Sequence, residues 1–211
     1  AIQGPVTINA ALNGGTVKLT FANPRLPGAI EVLKIDEGTE AALAGAVFKL
    51  WTAVEGEDGL EPGAVISTET TDGTGKVTWT DLEWGSYFVQ EFTPPTGYAL
   101  SDPAIQGPIV INAELNGELV ELTFANPRLP GSIEVLKVDD NQTPMGNVTF
   151  ELFRDANKNG VVDAGESLGQ KTTLGDGTAT WTDLVWADDY KVVEVSWPTG
   201  YVPSGAVVTG P

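Results

Sequence analysis

The chain has no cysteine and no histidine among its 211 residues. Without cysteine no disulfide can brace the fold. Lacking both residues, it holds no Cys–His or Ser–His nucleophile–base pair and none of the usual zinc ligand sets. Positive charge is scarce as well: 11 basic residues stand against 29 acidic ones, for a formal net charge of −18. That balance argues against nucleic acid as a partner, since phosphate contacts rely on Lys and Arg. No apolar run approaches the ~20 residues of a membrane-spanning helix. The chain opens without a basic-then-apolar leader, so any secretion signal is expected to have been removed or to lie outside these residues. What is abundant is glycine (25) and proline (14), interleaved with Val, Thr and Ile. An all-β fold follows, and the hydrophobic fraction of 41% suffices for true cores.

Internal repetition sets the domain organisation. AIQGPVTINAALNGGTVKLTFANPRLPGAIEVLKID from Ala1 returns as AIQGPIVINAELNGELVELTFANPRLPGSIEVLKVD from Ala104. VTWTDLEWGSYFVQEFTPPTGY (Val77 to Tyr98) returns as ATWTDLVWADDYKVVEVSWPTGY (Ala179 to Tyr201). A repeat of about 100 residues is a whole domain. Short alternating strands punctuated by Asn-Gly, Asp-Gly and Pro-Gly predict two tandem Ig-like β-sandwiches. The semi-rigid Pro-Arg-Leu-Pro-Gly at 24–28 and 127–131 reads as the linker. Three regions result: a hairpin at 1–23 around an Asn13-Gly14 turn, a complete module at 24–128, and a second module at 129–211. The hairpin repeats the closing hairpin of module one. Pro211 aligns with Pro108, so residues 129–211 hold no equivalent of 109–126.

Three polar residues occupy apolar phases of the strand pattern. Lys34 is in phase with Ile30 and Val32, Glu91 with Tyr87 and Val89, and Asn126 with Val120, Leu122 and Phe124. Residues two apart share a face of a strand, so all three side chains are expected in the core. Such burial is costly unless the groups satisfy one another. They can do so as an ion pair capped by an amide, or by forming a covalent amide bond. Burial favours the neutral forms of an amine and of a carboxylic acid. The amine then attacks the Asn carbonyl carbon while the acid hydrogen-bonds the carbonyl oxygen and shuttles protons. Ammonia leaves, and enforced proximity supplies the rate.

These features resemble a known family. An I-x-V-x-K first strand, Tyr87-x3-Glu91-x3-Pro95-x-Gly97-Tyr98 and a closing Asn126 are similar to the collagen-adhesin B-type, prealbumin-like domains of Gram-positive surface adhesins and pilins. The resemblance covers both copies, the second through Lys137 and Tyr190-x3-Glu194-x3-Pro198-x-Gly200-Tyr201. It implies a spontaneous isopeptide bond between Lys34 and Asn126, with Glu91 as catalytic acid/base. In module two only Lys137 and Glu194 match; the corresponding asparagine is Asn23, at the other end of the chain.

Asp155-Ala-Asn157-Lys-Asn159-Gly160-Val161-Val-Asp163-Ala-Gly-Glu166 fits the calcium-loop pattern D-x-[DN]-x-[DN]-G-x5-E. Asp155, Asn157, Asn159, the Val161 carbonyl, Asp163 and Glu166 would surround one calcium ion. Module one carries Ala53–Gly59 at this place and is expected to hold no such site. Trp79 and Trp181 are in phase with core positions. Trp84 and Trp186 lie beside a turn, where packing and sugar stacking stay equally open, and Trp197 is expected to pack on Pro198.

A module without its closing hairpin exposes a strand edge. Pro24–Gly28 spans at most about 18 Å, against roughly 35–40 Å for a domain of ~100 residues. With linkers at opposite ends of module one, residues 5–23 are expected to reach a neighbouring copy instead. Asn23 of a neighbouring chain would then meet Lys137 under Glu194, and copies would join head-to-tail into a filament. A piece of a longer tandem array explains the same frame equally well. Either way the expected role is a structural stalk of an extracellular bacterial surface fibre, pilus or adhesin, with no turnover site. The alternative is an adhesin module binding a host protein or glycan, tested at Trp84 and Trp186.

Overall fold

The structure, a computed structural model, describes residues 2–12, 14–115 and 117–203. The expected end of module two at Pro211 and the first residue of the Asn13-Gly14 turn lie outside the described residues. The chain divides into two compact units, 1–127 and 128–211. Among the described residues no helix is long and apolar enough to cross a membrane.

Unit one is a sandwich of two sheets. Strands β1 (Gly28–Asp36), β4 (Lys76–Leu82) and β7 (Leu119–Asn126) form one sheet, in the order β4-β1-β7. Strands β2 (Val47–Gly56), β3 (Gly59–Thr70), β5 (Gly85–Thr93) and β6 (Ile105–Ile111) form the other, in the order β3-β2-β5-β6. Their inner faces share one core. Ile30, Val32, Trp79 and Phe124 of the first sheet meet Phe48, Leu50, Val89 and Ile111 of the second. Phe48 and Phe124 stack edge to face with ring centres 5.0 Å apart. Most pairings are antiparallel, but β1 and β7 run parallel, from Ala29 opposite Leu119 to Asp36 opposite Asn126. First and last strands of the module therefore lie side by side.

The alternation in β1 is complete: every second residue from Gly28 to Asp36 is buried, Lys34 included. Gly75 makes this possible at one point. It adopts φ +75°, and a Cβ there would stand 2.6 Å from the Lys34 carbonyl oxygen. Gly177 repeats the arrangement against Lys137 in unit two.

Unit two keeps the same strands without the closing pair. One sheet pairs β8 (Gly131–Leu136) with β11 (Thr178–Leu184). The other has the order β10-β9-β12, from β9 (Thr149–Arg154), β10 (Ser167–Thr172) and β12 (Tyr190–Ser196). Val148, Phe150, Leu152, Ala179 and Trp181 form its core. Among the described residues no strand lies on the free edge of β8 or of β12, the places that β7 and β6 take in unit one.

The two strands expected within 1–23 are not formed. Residues 2–12 and 14–23 hold a single 3-10 turn, Ala10–Leu12, and no strand. Val6, Ile8, Leu19 and Phe21 stay exposed, and Gln3 reaches across to the Thr20 carbonyl. The physical reason is the lack of a sheet edge. In unit one the positions that this sequence would occupy beside β5 and β1 are filled by β6 and β7. A hairpin alone in water is marginal.

Candidate functional site

Lys34, Glu91 and Asn126 come from β1, β5 and β7, and the structure brings all three together. Each is at most 1% exposed. The Lys34 ammonium donates to the Phe124 carbonyl at 2.8 Å and makes a short hydrogen bond to Asn126 Oδ1. Asn126 Nδ2 donates to Glu91 Oε1 at 2.6 Å, and Lys34 Nζ stands 3.6 Å from that same carboxylate oxygen. Burial pushes the Lys34 amine down to about 8, against a smaller upward pull from the Glu91 carboxylate. A minor neutral fraction, the nucleophilic form, is thus present near neutral pH.

One detail departs from expectation. The acid faces the amide nitrogen and not the carbonyl oxygen. Lys34, on the neighbouring strand of the same sheet, takes the oxygen side, whereas Glu91 reaches over from the facing sheet. A carboxyl placed there can pass the lysine's proton to the departing nitrogen, which is the step that makes ammonia a leaving group.

Further residues hold the site. Glu91 Oε2 accepts the Ser101 backbone N–H at 2.8 Å. Asp36, fully buried, accepts the Tyr98 hydroxyl and the N–H groups of Gly38 and Thr39 at 2.8–2.9 Å. The burial of Asp36 was readable, since it shares the phase of Lys34. The Ser101 contact was not, because a backbone N–H leaves no mark in a sequence.

In unit two, Lys137 and Glu194 meet at 3.3 Å, with side chains 13% and 5% exposed. Asn23, the third residue of that set in the sequence, is exposed.

The loop Asp155–Glu166 gathers its polar side chains. Asn157 and Asn159 both donate their amides to Asp163 at 2.7 Å, and Glu166 accepts the Asp163 N–H. Asp155 accepts the N–H groups of Asn159 and Gly160 and is ion-paired to Lys191. Val161 donates its N–H to the Asn159 side chain. Among the described residues no three His, Cys, Asp or Glu side chains converge on one point. The donor types still suit a hard cation: carboxylates and amide oxygens in loop order, with the Lys191 ammonium seated on the first of them.

Trp79 and Trp181 are buried core residues, as their phase required. Trp84 and Trp186 are engaged within the chain: each indole N–H donates to a linker carbonyl, Leu26 and Leu129, at 2.8 Å. Arg25 and Arg128 lie over their rings. Trp197, expected against Pro198, is 42% exposed.

Residues 28–126 and 131–209 match the SpaA family, described as a prealbumin-like fold domain. Among curated proteins the chain is 32% identical to serine-aspartate repeat-containing protein D of Staphylococcus aureus (strain Newman), over 68% of this chain and 12% of that protein. It is also 32% identical to serine-aspartate repeat-containing protein F of Staphylococcus epidermidis, over 68% of this chain and 9% of that one. The chain thus spans about a tenth of the length of these relatives. Among solved structures, a streptococcal ancillary pilin matches at 24% identity, TM-score 0.44, covering 84% of this chain and 56% of the pilin.

Proposed function

The chain belongs to the SpaA family of prealbumin-like domains, and from that premise we propose that it is a load-bearing piece of a bacterial surface stalk, of pilus or adhesin type. Its first module is braced by an isopeptide bond that it makes itself. The observation that carries this reading is the buried contact of Lys34, Asn126 and Glu91 across the parallel β1–β7 pair. In the reaction the neutral Lys34 Nζ attacks Asn126 Cγ. A lysine proton moves through Glu91 Oε1 to Nδ2, the Cγ–Nδ2 bond breaks, and one ammonia departs. Glu91 ends as it began, and one amide has replaced another. The event happens once per molecule, so the chain is not an enzyme in the turnover sense.

The placement suits tension. Force entering at Gly28 runs along β1 to Lys34, crosses the new bond and leaves through Asn126. Everything between is outside the loaded path, so its hydrogen bonds are not pulled. Such a role places the protein outside the cell.

Two finer elements belong to the same reading. A segment with the sequence of β6 and β7 closes module two, and the exposed residues 5–23 of a second copy supply it. Copies then join head-to-tail, with Asn23 of the neighbouring copy bonded to Lys137 under Glu194. Secondly, Asp155, Asn157, Asn159, Val161, Asp163 and Glu166 would hold one calcium ion, which would stiffen the loop between β9 and β10.

The test is intact mass under denaturing conditions of the parent beside Lys34→Ala and Lys137→Ala. The parent is expected one ammonia below its sequence mass, and Lys34→Ala at full mass. From an unreacted, freshly folded chain the loss should quicken as pH rises and level off above about 8, where Lys34 is neutral. A parent at full sequence mass would sink the bond. A denaturant-resistant ladder lost in Lys137→Ala would support the head-to-tail joint, and its absence at high concentration would remove it.

A further inference from the structure

The reactive carboxyl is held by a strap that the reaction does not itself involve. Between β5 and β6 the chain makes a turn closed by the Tyr98 N–H on the Pro95 carbonyl. Tyr98 then drops its hydroxyl onto the buried Asp36 Oδ2 at 2.8 Å. The next residue, Ala99, donates its N–H to the Pro127 carbonyl at 2.9 Å, just past the closing asparagine. Two residues on, Ser101 is 6% exposed and gives its N–H to Glu91 Oε2. A run of four residues thus ties the first strand, the end of the last strand and the catalytic carboxyl to one another.

Among its described residues unit two shows the same turn without the tyrosine–aspartate bond. The Tyr201 N–H closes on the Pro198 carbonyl at 3.3 Å. Yet Tyr201 is 46% exposed, and Asp139, in the Asp36 place, is bonded to the Asn141 and Thr143 N–H groups instead. Among the described residues no bond joins Tyr201 to Asp139. The turn therefore forms from its own sequence, and the strap closes where a last strand is seated.

We propose that Tyr98 is a positioning residue for isopeptide formation. By locking the 98–101 segment onto Asp36 and Pro127, it fixes the Ser101 N–H on Glu91 Oε2 and leaves Oε1 turned toward Asn126. Arrival of the last strand and aiming of the acid become one event, so the bond is made in the correctly closed module. The inference rests on the bond proposed above. The Tyr98 hydroxyl is seated on Asp36, and its effect passes through the orientation of Glu91.

The experiment follows ammonia loss by denaturing mass spectrometry after unreacted chain, recovered in denaturant, is folded by dilution. Parent, Tyr98→Phe and Asp36→Asn are compared across pH 6 to 9, with circular dichroism confirming the strand signal at each point. Tyr98→Phe keeps the ring and loses only the hydroxyl. It is expected to lengthen the half-time about tenfold or more, as misplacement of a reacting group does, without moving the pH at which the rate levels off. Asp36→Asn still accepts the Gly38 and Thr39 N–H groups and can pair its amide with the Tyr98 oxygen, so it should stay within a few-fold of the parent. A Tyr98→Phe half-time equal to the parent's would overturn the strap. So would slowing in Asp36→Asn alone, which would assign the effect to the Asp36 charge. A parent that never loses ammonia would overturn the bond itself, and this inference with it.

Discussion

Residues 104–126 and 1–23 carry nearly the same sequence and have different structures. The first copy forms β6 and β7, with Ile109, Ile111, Phe124 and Asn126 buried. The second forms no strand among its described residues, and Ile8, Leu19 and Phe21 are open to solvent. The same contrast separates the modules that these segments do or do not close. Ile30 and Val32 are fully buried, whereas Ile133 and Val135 are only partly so. Lys34 is sealed, whereas the Lys137 side chain keeps 13% of its exposure. The lesson is that a module's own strands bring lysine and acid together, while the closing strand supplies both the asparagine and the dry surroundings. On the reading proposed above, reactivity is therefore a property of the completed sandwich.

The largest effect should come from leaving module one, like module two on its own, without its bond. Glu91→Gln keeps the shape of the acid and removes its proton chemistry, which is worth 10²–10⁴-fold in rate by order of magnitude. The variant is expected to remain at full sequence mass. Without the Lys34–Asn126 link the unfolded chain regains a long loop, a loss of about 4.6 kcal/mol if the amide acts as a disulfide closing a loop of that length does. For a domain of this size that lowers the melting point of module one by roughly 18–37 °C in a calorimetric scan. A full-mass variant that melts with the parent would show that the bond contributes no stability.

The converse change should be somewhat smaller. A synthetic peptide of residues 104–126, added to dilute Lys34→Ala chain, offers module two the strand pair that it does not hold. At a hundredfold excess over its dissociation constant it stabilises by about 2.7 kcal/mol, roughly 10–20 °C in the melting of that module. Slow conversion to an adduct one ammonia lighter than the two parts, blocked by Lys137→Ala, would complete the equivalence. Neither shift nor adduct would mean that something other than the open edges of β8 and β12 separates the modules.

Much of this contrast could be read from the sequence, and the reasons are local. Phase alone placed Lys34, Glu91 and Asn126 in one core, because a two-residue period leaves a strand side chain only two directions. The repeat placed the module frame and marked residues 1–23 as a closing segment. It could not say that this segment forms no strand, since pairing depends on a free partner edge and not on propensity. Nor could it say that Glu91 meets the amide nitrogen, which follows from Lys34 and Glu91 approaching Asn126 from different sheets. Trp84 and Trp186 were open from sequence. Their ties to Leu26 and Leu129 depend on where the linker runs after the fold is made.

The smallest predicted difference lies in the loop that module two has and module one does not. Lys191 is ion-paired to Asp155, which is 1% exposed, while its own side chain remains 41% exposed. Pairing with Lys191 is the first cause holding the Asp155 carboxyl below its usual range, followed against it by burial and then with it by the Gly160 N–H. An ammonium on the first of the proposed ligands is a tethered competitor: a divalent ion has to displace it before Asp155 can coordinate. Because that lysine is substantially solvated, the pair contributes at most about 1 kcal/mol. Lys191→Met should then raise calcium affinity by up to about fivefold in calorimetric titration, while Asp155→Asn lowers it. Chelation should lower the melting of module two and leave module one unmoved. If calcium binds the parent and Lys191→Met equally well, the lysine is a bystander on the loop's rim. If it binds neither, the loop is held by its own Asn157–Asp163 and Asn159–Asp163 bonds, and the two modules differ there in sequence without differing in chemistry.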